Sequence, residues 1–334
     1  MKVILVTGGA GFIGSNFVTY FLKRNKNFII VNIDKLTYAG NLDNLRYLED
    51  SPRHHFIKGD ICNSELINYL LRKYRPSYII NFAAESHVDR SILQPVLFAE
   101  TNILGTLALL QGARDIWSRN NFRGNMFIQI STDEVYGSIS NNTDYFTEDS
   151  NIAPNSPYSA SKASADMMVR AFSVTYGFPA IITRCCNNYG SYQNIEKFMP
   201  NCIVNALADK PIPVYGNGKN VREWIHVLDH CTAIIRVLFY GYAGEVYNIG
   251  SGEEITNIEL AQKILSIMGK PQDLIKMVPD RPGHDKRYAL NSYKLRSHTK
   301  WSCKTKLDDG IKETIEWYSN NRRWWDKKDK APST

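Results

Sequence analysis

A chain of 334 residues, 43% hydrophobic and 22% charged, has room for one large or two interlocked domains and the balance of an ordinary globular protein. Its net charge of +7 is dispersed until the run Arg322-Arg323-Trp324-Trp325-Asp326-Lys327-Lys328, so no nucleic-acid partner is expected, and an anionic small molecule suits the charge equally well. Six cysteines without a Cys-x-x-Cys pair and seven histidines without ligand spacing argue against disulfides and a bound metal; no segment reads as the roughly 18 apolar residues of a membrane span, and the direct entry into a strand reads as a cytosolic chain without a signal segment.

Strand-like and amphipathic runs alternate through the first half. Lys2–Val6 reads as a strand, Ile13–Lys23 as a helix and Phe28–Ile33 as the next strand. After a polar loop come His55–Ile57 (strand), Ser64–Lys73 (helix), Tyr78–Phe82 (strand), a long helix near Thr101–Ser118 and the strand Met126–Ile130. Helix Tyr158–Tyr176 and strand Ala180–Thr183 add a further unit. This alternation predicts an α/β, Rossmann-like, doubly wound parallel sheet with right-handed crossovers. From about Asn187 the texture changes. Pro200, Pro211, Pro213 and Gly216-Asn217-Gly218 break the chain into loops and short elements, with helices near Leu260–Met268 and Leu307–Tyr318 and a polar loop at 279–288. The expected division is 1–186 for a dinucleotide-binding domain, with a return segment near 220–250, and 187–334 for a smaller C-terminal substrate-binding domain carrying its contacts on loops.

Gly8-Gly9-Ala10-Gly11-Phe12-Ile13-Gly14 sits between the first strand and the first helix. Glycines at 8, 11 and 14 permit the tight turn and the close backbone approach to a pyrophosphate, which the helix N-terminus attracts. The next strand ends at Asp34, about twenty residues on; an acid there accepts hydrogen bonds from a ribose 2′-hydroxyl and repels a 2′-phosphate, so NAD is expected rather than NADP. Asp60, after Phe56-Ile57-Lys58-Gly59, is either a contact to the adenine edge or a simple loop acid.

The strand Met126–Ile130 runs into Ser131-Thr132-Asp133-Glu134-Val135-Tyr136-Gly137. Two adjacent acids at the C-terminal edge of a parallel strand repel each other and lose hydration, so stability alone does not explain them. They make sense where one holds a proton and the other does not. Downstream, Tyr158 and Lys162 lie at i and i+4 on one helical face. For Tyr158 to act as a base its pKa must fall from ~10 to ~7, about 4 kcal/mol of differential stabilisation, which a nearby lysine and a positive nicotinamide could supply.

These residues carry a resemblance over nearly the whole chain. With Asp34-Lys35-Leu36-Thr37-Tyr38-Ala39-Gly40-Asn41, Ala83-Ala84-Glu85-Ser86-His87-Val88-Asp89-Arg90-Ser91, Ser156-Pro157-Tyr158-Ser159-Ala160-Ser161-Lys162-Ala163, Asn187-Asn188-Tyr189-Gly190 and Arg281-Pro282-Gly283-His284-Asp285, the chain resembles the extended short-chain dehydrogenase/reductases, and within them the dTDP-glucose 4,6-dehydratases. The Asp-Glu pair after Thr132 is the marker that sets the dehydratase branch apart from epimerase relatives. The resemblance implies NAD contacts at Gly8, Gly11, Phe12, Ile13, Gly14, Asp34, Lys35, Thr37, Asp60, Ile61, Ala83, Tyr158, Lys162 and Asn188. Substrate contacts carry over to Ser86, Thr132, Asn187, Lys197, Phe198, Pro213, Tyr215, Arg222, Asn257, Arg281 and His284. The guanidinium forks of Arg222 and Arg281 suit a diphosphate. Cys186, Ser191, Phe198, Asn217 and His226 depart from the usual family residues, and Phe198 borders the nucleotide.

The implied reaction converts a nucleoside-diphosphoglucose into its 4-keto-6-deoxy form and water. Tyr158 takes the C4 hydroxyl proton with Thr132 on the same oxygen, Glu134 removes the C5 proton made acidic by the new ketone, and Asp133 protonates the departing C6 oxygen. A UDP-glucose 4,6-dehydratase, or a related nucleotide-sugar epimerase or decarboxylase, stays open as the alternative. Apolar residues on more than one face of the helices near 101–118 and 158–176 (Leu104, Leu107, Leu109 and Leu110; Met167, Met168 and Val169) suggest a homodimer, which the resemblance also implies.

Overall fold

The computed structural model describes residues 1–139, 141 and 143–326; Lys327 and Lys328 of the basic run lie outside the described residues. The first half is β1 (Lys2–Thr7), α1 (Phe12–Arg24), β2 (Phe28–Asp34), β3 (His54–Lys58), α2 (Ser64–Tyr74), β4 (Tyr78–Asn81), α3 (Val88–Leu93), α4 (Pro95–Phe98), α5 (Gly105–Trp117), β5 (Met126–Thr132), α6 (Pro157–Tyr176) and β6 (Ala180–Cys185). The second half is β7 (Asn187–Tyr189), α7 (Phe198–Leu207), β8 (Ile212–Tyr215), β9 (Val221–His226), α8 (Val227–Tyr240), β10 (Val246–Ile249), β11 (Glu254–Thr256), α9 (Asn257–Ile267), β12 (Ile275–Val278), α10 (Tyr293–Thr299), α11 (Leu307–Asn320) and α12 (Arg322–Trp325).

Seven strands pair in parallel in the order β10-β6-β5-β4-β1-β2-β3. Alternate strand residues point to opposite faces, and here both faces are covered, which is why the strands read as apolar runs. Ile4, Val6, Ile30, Ile80 and Ile128 pack with Phe17 and Phe21 of α1 and Ile234 and Val237 of α8. Leu5, Val31, Ile33, Ile79 and Phe127 pack with Ile67 and Leu70 of α2 and Leu109 and Leu110 of α5. The chain steps outward from β1 to β3, then returns to β4 on the other side of β1. That reversal leaves a crevice at the carboxyl ends of β1 and β4, the place where such sheets take ligands.

The second half is more regular than its Pro and Gly content suggests. A three-stranded sheet (β11-β9-β7) and a parallel pair (β12-β8) lie over a core of Met199, Ile203, Leu260, Ile264, Ile311 and Tyr318. Helices α7 and α8 go unread in the sequence. Pro200 falls in the first turn of α7, where its missing N–H costs no helical bond. The stretch from α8 to β10 returns to the first lobe, α8 against α1 and β10 against β6.

The helix expected near Thr101–Ser118 is longer and interrupted. Helix α4 passes through a π turn, Ala99–Leu104, into α5. Contrary to the expectation of no membrane-length segment, the helical run Pro95–Asn120 is 26 residues long, with a window of mean hydropathy 1.3, and is long and apolar enough to cross a bilayer. Its covered side nevertheless carries Asn102 and Thr106, both hydrogen-bonded inside the protein. Of the apolar residues singled out on this helix and α6, Leu109, Leu110 and Val169 are core, whereas Leu104, Met167 and Met168 are exposed.

Candidate active site

The β1–α1 turn places glycines where no side chain fits. Gly8 has φ +69°, and an added Cβ would stand 2.6 Å from Ala83 N; on Gly14 it would collide with Gly8 O. Gly11, the N-cap of α1, gives the first turn no side-chain acceptor, so the amides there are available to an anion. Asp34 at the end of β2 accepts Ala10 N on Oδ2 (2.9 Å) and Leu36 N on Oδ1 (2.8 Å). Burial raises its pKa while those N–H groups oppose the shift, and each oxygen keeps a lone pair for a hydroxyl donor. Lys35 Nζ lies 2.7 Å from Asp60 Oδ2. A cleft of about 330 Å³ runs from the turn past Asp34, Lys35, Thr37, Asp60, Ile61 and Ala83 to Thr132, Tyr158 and Lys162. The uncapped helix end, the side-chain-free turn and the acid at β2 fit NAD.

At the far end of the cleft, β5 stops at Thr132 and a 3₁₀ turn carries Asp133 and Glu134. Thr132 Oγ1 donates to Asp133 Oδ1 (3.1 Å), accepts Glu134 N (3.3 Å), and shares a hydrogen bond with the Tyr158 hydroxyl. Asp133 is 1% exposed, and its Oδ2 is buried without a partner. Burial first, then the charges of Glu134 and Glu223, push its carboxyl well above the ordinary range. Glu134 is also raised by burial, but Arg281, Arg222 and Lys197 pull it back down. The two neighbouring acids therefore sit in unequal fields: both are raised by burial, Asp133 further by two acidic neighbours, while three cations oppose the rise at Glu134.

Helix α6 presents Tyr158 and Lys162 on one buried face. Ser156 caps it in a reciprocal box with Ser159, and Pro157 occupies its first position. Lys162 Nζ donates to Ile130 O at 2.5 Å, and burial lowers its pKa. Tyr158 is pushed well above its usual value, by burial first and then by Glu134. A positive charge bound beside Tyr158 would oppose that rise.

Ser86, Asn187, Lys197 and Phe198 line the same cleft, with Lys197 Nζ donating to Ser86 O at 2.7 Å. Asn188 also lines it, but its amide is engaged internally, donating to Cys186 O (3.0 Å) while Oδ1 meets His230 Nδ1 (2.8 Å). Pro213, Tyr215, Arg222, Asn257, Arg281 and His284 stand outside the lining. Arg222 is committed to main-chain carbonyls of Val221 (2.8 Å) and Asp285 (2.9 Å) and lies over the Tyr288 ring. His284 Nδ1 is 2.6 Å from Asp280 Oδ1. The fields of Arg222 and Arg281 still reach Glu134.

Several residues of the site escape the sequence reading. Asn102 bonds Glu85 through both main-chain groups and donates to Ser161 Oγ (2.8 Å), tying the Ala83–Ser86 strand end to α6. A lone Asn inside an apolar helix was its only signal. Glu223, pushed up to about 7 by burial, accepts Gly252 N and Leu290 N and adds its charge to the field on Asp133.

A doubly wound sheet with a dinucleotide cleft, a Thr–Tyr–Lys group and an acid pair at its end defines the nucleotide-sugar class of extended short-chain dehydrogenase/reductases. Residues 5–314 match the family model described as GDP-mannose 4,6 dehydratase. The chain is 49% identical to a dTDP-glucose 4,6-dehydratase of Xanthomonas campestris pv. campestris (strain B100), covering 97% of this chain and 95% of that one. Among solved structures it resembles the dTDP-glucose 4,6-dehydratase of Bacillus anthracis str. Ames in complex with NAD (46% identity, TM-score 0.89, 98% and 99% covered). It also resembles DesIV, the dTDP-glucose 4,6-dehydratase of Streptomyces venezuelae with NAD and TYD bound (45%, TM-score 0.91, 97% and 99% covered). The chain belongs to the family that the GDP-mannose 4,6 dehydratase model describes, and within it to the dTDP-glucose 4,6-dehydratases.

Proposed function

We propose that this protein converts dTDP-glucose to dTDP-4-keto-6-deoxyglucose and water, with NAD as its cofactor. The observation that carries this reading is the acid pair Asp133–Glu134, unequally displaced in pKa and one residue from the Thr132 hydroxyl that bonds Tyr158. The C5 proton of glucose is not acidic until C4 is a ketone. Tyr158 takes the C4 hydroxyl proton while Thr132 orients that oxygen. Glu134, eased toward its anion by three cations, removes the C5 proton, and Asp133 delivers its proton to the C6 oxygen, which leaves as water. Glu134 then returns a proton to C5, and exchange with solvent, in which Tyr158 gives up a proton and Asp133 takes one, restores the site for the next turnover. When bound, the dinucleotide supplies the hydride acceptor at C4 and the same hydride at C6, so no reductant is consumed.

Gly8, Gly11, Phe12, Ile13, Gly14, Asp34, Lys35, Thr37, Asp60, Ile61 and Ala83 hold the dinucleotide, and Ser86, Asn187, Lys197 and Phe198 meet the sugar and diphosphate. Arg222 and Arg281 serve the diphosphate, Pro213 and Tyr215 the base, and Asn257 and His284 are further substrate contacts. Residues 1–186 with the 220–250 return form the cofactor lobe, and 187–334 the sugar lobe. The protein works as a cytosolic homodimer. Exposed Leu104, Met167 and Met168 support a second copy against α5 and α6 rather than lipid against Pro95–Asn120. Incubation with dTDP-glucose and no added reductant should yield a 4-keto product absorbing in alkali. A requirement for continuous NADPH would overturn the cycle, and the same assay with UDP-glucose reports the base preference.

A further inference from the structure

At the seam between the lobes, Asp89 in the first turn of α3 meets two side chains from the second lobe. Arg281 Nη1 stands 3.5 Å from Asp89 Oδ1, and the Tyr215 hydroxyl donates to Asp89 Oδ2 at 3.3 Å. Neither group is fully used. Asp89 Oδ1 and Arg281 Nε are both buried without a hydrogen-bond partner. A buried guanidinium N–H without an acceptor is costly, and its best complement is an oxyanion that takes two donors of the fork. Arg281 lies close enough to the reaction centre for its charge to reach Glu134 and Lys197.

We propose that Asp89 is an internal stand-in for the substrate's diphosphate. In the free protein its carboxylate holds Arg281 in the binding position. An incoming diphosphate takes the guanidinium, including the idle Nε, and then lies beside a carboxylate of its own sign. The exchange makes binding cost one ion pair and adds repulsion, so Asp89 lowers affinity for nucleoside diphosphates and speeds product departure, a step that limits many enzymes. The inference rests on the reading of Arg281 as a diphosphate contact.

Calorimetric titration of the NAD-loaded protein with thymidine diphosphate tests it. Asp89→Asn keeps an acceptor for the Tyr215 hydroxyl and removes only the charge, so thymidine diphosphate should bind about three- to tenfold more tightly at low ionic strength. The gain should shrink at high salt, as a charge effect must, and be smaller when Arg281→Ala is also present, because only the repulsion then remains. Asp89→Ser, likewise uncharged, should also tighten binding and serves if the Asn variant does not fold. Unchanged or weaker binding in the folded variant overturns the inference, because loss of a merely structural contact can only loosen the site. Arg281→Ala alone should weaken binding. If it does while Asp89→Asn gives no gain, only the stand-in role fails; if Arg281→Ala binds normally, the diphosphate reading fails and the inference with it.

Discussion

At the residue scale, the acid pair assigns separable defects. Glu134→Gln should still form enzyme-bound NADH on adding dTDP-glucose but lose exchange of the C5 proton with solvent by about 10²–10⁴-fold. Proton NMR in deuterated water reads that exchange, and a wild-type rate would place the base elsewhere. Tyr158→Phe should stop earlier, with little NADH formed. The raised pKa of Asp133 also makes a stability statement. A carboxyl that holds its proton more tightly when folded stabilises the fold at low pH, and that contribution is lost as pH rises through the folded value. Asp133→Asn, permanently neutral, should therefore raise Tm by roughly 2 °C at about pH 8 and by less at about pH 5. A larger gain at the acid end contradicts the assignment. The identities of these residues were legible because each lies in a contiguous run with its own chemistry: glycines in a turn, an acid at a strand end, Tyr and Lys one helical turn apart. The field around them was not. Glu223, Arg281 and Lys197 meet Glu134 or Asp133 only through folding, and no spacing in the chain announces them.

At the element scale, the β1–α1 turn is the most demanding piece of backbone. Gly8→Ala forces a side chain to φ +69° and against Ala83 N. It should cost about 1–2 kcal/mol and empty the cleft of cofactor, seen as a lower Tm and a reduced NAD-to-protein ratio in the purified protein. An Ala variant that retains full NAD would show that the turn does not carry the pyrophosphate. Ser156→Ala removes one half of the capping box of α6 and should cost about 1 kcal/mol, read by denaturant unfolding. The sheet of the first half was readable because strands buried on both faces have no polar alternation to confuse them. The second half was harder to read. Proline in the first turn of α7 looks like a breaker, though its position makes it harmless, and β10 joins β6 across an intervening stretch of loops, short strands and helices, a pairing local patterns cannot contain. The interrupted helix before β5 hid its membrane-like length for a similar reason, since a π turn joins two segments that each look ordinary.

At the scale of the whole molecule, Val96, Leu104, Met167, Met168 and Val174 stand exposed along the α4–α6 elements, apolar surface that a second copy would cover. Light scattering at micromolar concentration should give the mass of two chains, and Leu104→Glu with Met168→Glu should give one; a monomeric parent protein would refute the dimer. Oxidation at C4, loss of water across C5 and C6, and reduction at C6 occur in one cleft with nothing consumed. One isotope experiment follows that claim from end to end. dTDP-glucose carrying deuterium at C4 is turned over in ordinary water without added reductant, and the product is read by NMR and mass spectrometry. One deuterium should appear at C6 of the 4-keto-6-deoxy sugar, with an unlabelled hydrogen at C5. Deuterium lost to the solvent, or a product that forms only when NADH or NADPH is supplied, would contradict it.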